Sequence, residues 1–177
     1  MDKTELQAVQ TPLKERYRGE PAAALVTLRA EGRLHEEQIA CSVATGRALV
    51  EAGLHPATGG TGALACSGDM LLEALVACAG VTLRSVATSM ELEVSGNVYA
   101  EGDLDFRGTL GVSKEAPVGF QSIRLTFDLD TDASDDQLAT LIRLTERYCV
   151  VFQTLSKPAA IAVSRADRVS TQAKALT

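Results

Sequence analysis

The segment from residue 69 to residue 90 constrains the fold more than any other part of the chain. It reads DMLLEALVACAGVTLRSVATSM and is apolar on nearly every side until Arg84. Positions spaced three or four apart trace one helical face: Leu71, Leu75, Cys78, Thr82 and Val86. Because a helix that is apolar almost all round is a buried one, the pattern predicts a central helix with Asp69 as its N-cap.

The same helix carries a set of small residues. They are Ala74, Ala77, Ala79 and Gly80. Small side chains let another helix approach closely, and a helix from a second copy of the chain is one candidate for that neighbour.

Alternating residues predict strands on both sides of this helix. Apolar and polar residues alternate across residues 97–106 and 123–130, which favours antiparallel pairing with one face in water. Further strands are expected at residues 23–30, 39–43 and 160–164. Residues 31–37 are predicted to form a turn, and the glycine-rich residues 53–69 a loop.

A second helix is predicted from a capping box. Ser134 and Gln137 have the S-x-x-Q spacing that satisfies two backbone N–H groups at a helix start. Its apolar stripe runs through Leu138, Leu141, Ile142, Thr145 and either Tyr148 or Cys149. Cys149 follows Leu138 by close to three turns, so it is expected to face inward.

Length and charge limit the function classes. The 177 residues suit one domain, and we expect a polar lead-in at residues 1–20 before a single domain at residues 21–177. The net charge of −6 argues against nucleic-acid or anionic-membrane partners. The N-terminal sequence has no leader pattern, and the apolar run at residues 70–83 is too short to span a bilayer, so a cytoplasmic location is expected.

The chain has four cysteines, Cys41, Cys66, Cys78 and Cys149. In a reducing compartment, permanent disulfides are not expected. No CxxC spacing occurs and the two histidines stand apart from the cysteines, so no metal is expected. Periodicity turns Cys78 and Cys149 inward, where a cysteine serves equally well as a small core residue or as a reactive thiol.

Several runs together resemble the OsmC/Ohr superfamily, the osmotically inducible protein C and organic hydroperoxide resistance proteins. The resemblance covers residues 22–165. The runs are LLEALVACAGVTL, EGDLDFRGTLGV, PVGF, IRLTFDLDTDAS and TERYCVVFQTL. Its specific part is a cysteine in the middle of a small-residue helix and a second at the end of a later helix, in an ERYC setting.

The resemblance implies an α+β fold, with two antiparallel β-sheets wrapped around two central helices in an intertwined homodimer. It also implies a thiol peroxidase with an antioxidant role in the oxidative stress response. Cys78 would attack an organic hydroperoxide or hydrogen peroxide and become a sulfenic acid. Cys149 would then form a disulfide that an external dithiol reopens, with no cofactor or metal.

The group that activates Cys78 stays open in the sequence. The resemblance implies an arginine held by a glutamate; the candidates for the arginine are Arg18, Arg29, Arg33 and Arg47. Asp69 stands nearest the place of the glutamate, although a helix cap explains it as well. The sequence also leaves open whether Glu73, His55 or Cys66 line the site. Glu146 and Arg147 flank Cys149, and either they form an ion pair with each other or they adjust the reactivity of Cys149.

A second hypothesis assigns a non-catalytic function to the same fold. In that interpretation the chain binds a small apolar ligand or senses redox state, and its cysteines are not catalytic. The lack of an unambiguous arginine–glutamate pair in the sequence favours it.

Overall fold

The fold is described from a computed structural model that covers residues 2–20, 31–34, 40–44, 49–157 and 159–165. The chain forms, in order, α1 (Lys3–Gly19), β1 (Glu31–Leu34), β2 (Ala40–Ala44), β3 (Leu49–Gly53), β4 (Ala65–Cys66), α2 (Ser67–Ser89), β5 (Ser95–Asp103), α3 (Phe106–Thr109), β6 (Ser122–Asp130), α4 (Asp135–Tyr148) and α5 (Val150–Ser156). This is the predicted α+β class. The polar lead-in predicted at residues 1–20 is occupied by the helix α1.

The first sheet has the strand order β1-β2-β3-β4. Its first three strands pair antiparallel, but β3 and β4 run parallel, so the expectation of purely antiparallel sheets is wrong there. The strand predicted at residues 39–43 is confirmed as β2. The turn predicted at residues 31–37 is wrong over β1, and the strand predicted at residues 23–30 lies outside the described residues.

The second sheet consists of β5 and β6, which pair antiparallel along nine residues each. As the alternation predicts, Ile123, Leu125 and Phe127 pack into the apolar core. On the opposite face Arg124 forms ion pairs with Asp103 and Glu101. The strand β5 ends at Asp103, and the chain continues into α3. The alternation was predicted to continue through residue 106, and this prediction is wrong beyond Asp103.

The helix α2 starts earlier than predicted. Its N-cap is Cys66, which makes no side-chain cap hydrogen bond. The prediction that Asp69 is the N-cap is therefore wrong; Asp69 lies in the first turn, where its negative charge suits the positive end of the helix dipole.

One side of α2 is the centre of the core. Its buried residues recur every four positions: Leu75, Ala79, Leu83 and Ala87. The other side is open in the single chain, where Val81 is 73% exposed. The helix is also longer than the apolar run at residues 70–83, which was predicted to be too short to span a bilayer. By length and composition alone it could cross a membrane. The core helix of a globular domain passes the same test.

The helices α4 and α5 meet at Cys149. The predicted capping box is present, with Ser134 and Gln137 bonded reciprocally. The helix ends at Tyr148 because Cys149 takes an extended conformation, φ −74° and ψ 109°, that is both the C-cap of α4 and the N-cap of α5. The strand predicted at residues 160–164 is not formed: this segment is irregular and exposed.

Candidate active site

The structure brings Cys78 and Cys149 together, although they are far apart in sequence. Cys78 lies in the middle of α2 and Cys149 at the junction of α4 and α5. Both residues belong to one apolar cluster with Leu75 and Ala79, and each sulfur affects the pKa of the other. Both are free thiols; Cys149 is fully buried, whereas Cys78 is half-buried.

Opposing effects act on Cys78. Burial by itself raises the pKa of the Cys78 thiol, because a charged sulfur is poorly solvated inside the protein. Hydrogen bonds from the backbone N–H groups of Val151 and Val150, the Cys149 thiol and the Thr82 hydroxyl outweigh it. The pKa of Cys78 therefore lies below its ordinary value, which favours the thiolate.

Cys149 shows the opposite behaviour. Burial raises its pKa first, and the hydrogen bond to Cys78 and the charge of that neighbour raise it further. N–H groups of Phe152 and Val151 oppose the rise without cancelling it. The pair is therefore asymmetric: the surroundings favour ionisation of Cys78 and disfavour ionisation of Cys149.

A cleft of about 600 Å³, lined by apolar side chains and by polar ones such as Glu146, lies near this pair. Its walls come from α2, β6, α4, α5 and the loop that carries Phe120. Leu75, Phe152 and Leu155 belong both to the cleft wall and to the cluster around the cysteines. A small apolar molecule in the cleft would therefore lie one layer of side chains from the sulfurs.

None of the arginine candidates can be placed at the site. Arg29 and Arg47 lie outside the described residues, and so do the side chains of Arg18 and Arg33. Within the described part of the chain, no cation contributes to the lowered pKa of Cys78. The donors that the structure shows at this sulfur are all uncharged.

Asp69 and Glu73 lie on another side of α2. Both line a groove of about 380 Å³ together with Leu72, Val76 and Ala77. Glu73 is exposed and, among the residues that the structure describes, forms no ion pair. Glu73 therefore lies at a groove that is open to solvent.

His55 and Cys66 line another cavity, of about 340 Å³. The His55 Nδ1 accepts a hydrogen bond of 3.0 Å from the Ala57 N–H, and its ring stacks on Phe106 at 4.8 Å between centroids. His55 is thus a turn residue satisfied by backbone. Within the described ranges no cluster of three His, Cys, Asp or Glu side chains suits a metal ion.

The flanks of Cys149 differ from expectation. In the described structure Glu146 and Arg147 form no ion pair; the Arg147 guanidinium lies 5.4 Å from the centre of the Tyr148 ring. The donors Thr82, Val150 and Val151 were not singled out from the sequence. The spacing of Thr82, one turn after Cys78, is a signal that could have identified it.

Comparisons with known proteins bear on the family and the fold. A family model described as OsmC-like protein matches residues 60–164, more than half of the chain. No curated protein matches the chain.

Three solved structures share the fold. An OsmC like protein from Mycoplasma pneumoniae has a TM-score of 0.63 and 14% identity, covering 75% of this chain and 89% of that one. An organic hydroperoxide resistance protein OsmC from Legionella pneumophila has a TM-score of 0.54 and 16% identity, covering 76% and 92%. The organic hydroperoxide resistance protein OhrB of Bacillus subtilis has a TM-score of 0.51 and 19% identity, covering 76% and 94%.

Proposed function

The chain belongs to the OsmC-like protein family, and on that premise we propose that it is a cysteine-dependent peroxidase with Cys78 as the attacking thiolate and Cys149 as its partner. One observation carries the proposal. The two cysteines pack in one apolar cluster, and their pKa values are displaced in opposite directions. A nucleophile beside a thiol kept neutral is what a peroxide-reducing cysteine pair requires.

The reaction balances with these two thiols and an external dithiol. The Cys78 thiolate attacks one peroxide oxygen and breaks the O–O bond, giving a sulfenic acid and an alkoxide that takes a proton to become an alcohol. The Cys149 sulfur then displaces water from the sulfenic acid and forms a disulfide. An external dithiol reduces that disulfide by exchange and is itself oxidised to a disulfide.

The surroundings favour an organic hydroperoxide as substrate. The cleft near the cysteines combines polar side chains with apolar ones such as Phe120, Ile142 and Phe152, and the apolar part suits an alkyl or aryl group. Two structures of the same fold are named as organic hydroperoxide resistance proteins. We propose a cytoplasmic enzyme that needs no cofactor or metal and works as a homodimer.

The test measures thiol loss and product together. The reduced protein is mixed with cumene hydroperoxide, and free thiols and cumyl alcohol are quantified. The wild type, with four cysteines per chain, is expected to keep two thiols and to turn over when dithiothreitol is supplied. Cys78→Ser is expected to form no alcohol, and Cys149→Ser to stop at a sulfenic acid that dimedone traps.

Cys66→Ser is the matched control, since Cys66 is a free, half-buried cysteine at the start of the same helix. It is expected to behave as wild type. Persistence of all four thiols under excess peroxide would overturn the proposal, as would full activity of Cys78→Ser.

A second candidate function is favoured by the same cleft. A volume of about 600 Å³ with a partly apolar lining would hold a small ligand without any redox step. In that case the cysteines would be core residues or redox sensors. Inert thiols, combined with saturable binding of an apolar dye such as ANS, would support this binding protein instead.

A further inference from the structure

One aromatic side chain, Phe120, stands between two spaces of this domain. The first is the cleft of about 600 Å³ near the cysteines, and the second is the cavity of about 340 Å³ that His55 and Cys66 line, hereafter the His55 cavity. Among the described residues, Phe120 is the only one that lines both spaces. Its ring therefore lies where the cleft and the His55 cavity adjoin.

The Phe120 ring has a close-fitting seat at two glycines. A Cβ built on Gly102 of β5 would lie 2.4 Å from Cε1 of this ring and 2.5 Å from its Cδ1. A Cβ built on Gly68, in the first turn of α2, would lie 3.6 Å from its Cζ. The ring thus occupies the space that a side chain at position 102 would need, between the strand and the start of the central helix.

The backbone next to Phe120 is tied to the same strand. The Gln121 N–H donates a hydrogen bond of 2.8 Å to the Asp103 carbonyl oxygen. Ser122, the first residue of β6, is the register partner of Asp103. The half-buried Phe120 ring is therefore held against β5 both by its own packing and by the chain that follows it.

This wall stands well away from the sulfur of Cys78. Gly68 and Cys78 lie on one helix, and the ten residues from 68 to 78 correspond to about 15 Å along its axis. Leu75, which belongs to the cysteine cluster, lines the same cleft as Phe120. A substrate with its peroxide group at Cys78 would therefore extend its organic group past Leu75 toward Phe120.

We propose that Phe120 is a specificity-determining residue, which closes the far end of the cleft and limits the length of the organic group of the hydroperoxide. The inference rests on the proposed function, because it concerns the substrate of the same site. Loss of the ring would join the His55 cavity to the cleft and enlarge the available space by more than half. The added lining is partly apolar, through Leu72, Leu104 and Phe106, so a longer alkyl chain would be buried there.

The experiment compares wild type with Phe120→Ala, Phe120→Leu and the matched control Phe106→Ala. Phe106 lines the His55 cavity and not the cleft, so its replacement enlarges that cavity and leaves the wall in place. Calorimetry measures the binding of straight-chain alcohols from butanol to dodecanol, which resemble the reaction products and need no redox step. The rates of reduction of tert-butyl hydroperoxide and linoleic acid hydroperoxide are measured in parallel.

In wild type and in Phe106→Ala, the affinity is expected to rise about fourfold with each added CH₂ group and to stop rising at a limiting length. Phe120→Ala should move this limit to longer alcohols, and Phe120→Leu should lie between the two. The ratio of the long-chain to the short-chain peroxide rate should rise in Phe120→Ala by about tenfold, the gain from burying roughly two further CH₂ groups.

A further variant tests the seat of the ring without any ligand. Gly102→Ala should lower the melting temperature of wild type by roughly 4 °C, because the new methyl group overlaps the Phe120 ring. The same change should cost little in Phe120→Ala, where that space is empty. Circular dichroism on heating measures both losses and shows that each variant is folded.

The inference is overturned if wild type binds none of the alcohols, if Phe120→Ala keeps the wild-type limit, or if Phe106→Ala moves the limit equally. Equal losses from Gly102→Ala with and without the ring would overturn it as well. Alcohol binding needs no peroxidase activity, so the two proposals fail separately. A shifted limit in a protein that reduces no peroxide would end the proposed function and leave Phe120 as the wall, whereas normal turnover with an unshifted limit would do the reverse.

Discussion

The chemistry of this protein depends on one contact between two sulfur atoms. Cys78 and Cys149 are chemically identical residues, and burial raises the pKa of both, yet hydrogen bonds bring the pKa of Cys78 below its ordinary value while that of Cys149 stays above it. Each sulfur is part of the environment of the other. The Cys149 thiol lowers the pKa of Cys78 by donating to it, and a charged Cys78 raises the pKa of Cys149.

This reciprocity predicts paired shifts in a titration. Cys149→Ala removes a donor from Cys78, so the Cys78 thiolate should appear at higher pH than in wild type. Cys78→Ala removes the accepting sulfur and its charge, so the Cys149 thiolate should appear at lower pH. The ultraviolet absorbance of the thiolate, followed against pH, measures both. Cys66→Ala is the control and should leave the titrations of Cys78 and Cys149 unchanged. The contact would be contradicted if each of these two cysteines titrated as in wild type after the other had been replaced.

At this scale the sequence identifies the residues but not their environment. Helical periodicity predicts that Cys78 faces the core. The apolar stripe of α4 leaves two alternatives for its last buried residue, Tyr148 and Cys149. In the structure Cys149 is buried and Tyr148 is exposed. The donors Val150 and Val151 could not be predicted, because a backbone N–H carries no residue-specific signal. These N–H groups are free to act as donors because the helix is interrupted at Cys149.

Among the elements, the pairing of β5 with β6 requires a glycine at position 96. This glycine has φ +122°, which L side chains rarely adopt, and a Cβ built on it would lie 2.1 Å from the Asp128 carbonyl oxygen. The two strands approach so closely there that no side chain fits between them. This pairing supports the inner face that packs against the cysteine cluster.

We predict that Gly96→Ala lowers the free energy of unfolding by roughly 2–4 kcal/mol, through the combined cost of backbone strain and overpacking. Gly111→Ala is the matched control: Gly111 also has a positive φ, +68°, but open space around its Cβ position. It should cost about 1 kcal/mol. Urea unfolding followed by circular dichroism measures both, and equal losses in the two variants would argue against the close strand approach.

Prediction of the elements succeeds where the signal is local. The alternation of β6 and the capping box of α4 are properties of neighbouring residues, and both are found as predicted. The parallel strand β4 and the end of β5 at Asp103 depend on contacts with distant segments. Two residues, Ala65–Cys66, are too few to show a period, so β4 could not be separated from a loop.

On the scale of the whole molecule, α2 has more apolar surface than one chain covers. Leu71 and Val81 are 38% and 73% exposed, and small residues such as Ala74 and Ala77 lie exposed between them. Such a surface suits a second helix at short distance. We propose that it is the α2 of a second copy, in keeping with the homodimer that the sequence resemblance implies.

A charge on that surface should separate the copies. Val81→Arg is predicted to convert a dimer into a monomer, because a guanidinium cannot be buried between two apolar helices without a partner. Light scattering after gel filtration gives the mass. Val112→Arg changes an equally exposed valine, 72%, on a loop and should remain dimeric. A wild type that is monomeric at every concentration would contradict the proposed dimer.

The central claim, that Cys78 and Cys149 form one redox pair, is tested most directly by mapping the disulfide. Reduced protein is treated with one equivalent of cumene hydroperoxide, remaining thiols are blocked, and the chain is cleaved after glutamate, which places each cysteine in its own peptide. We predict a single linked species that joins peptide 74–91 to peptide 147–177, with Cys41 and Cys66 blocked as free thiols. A link through Cys41 or Cys66, or four blocked thiols with the peroxide intact, would contradict the account.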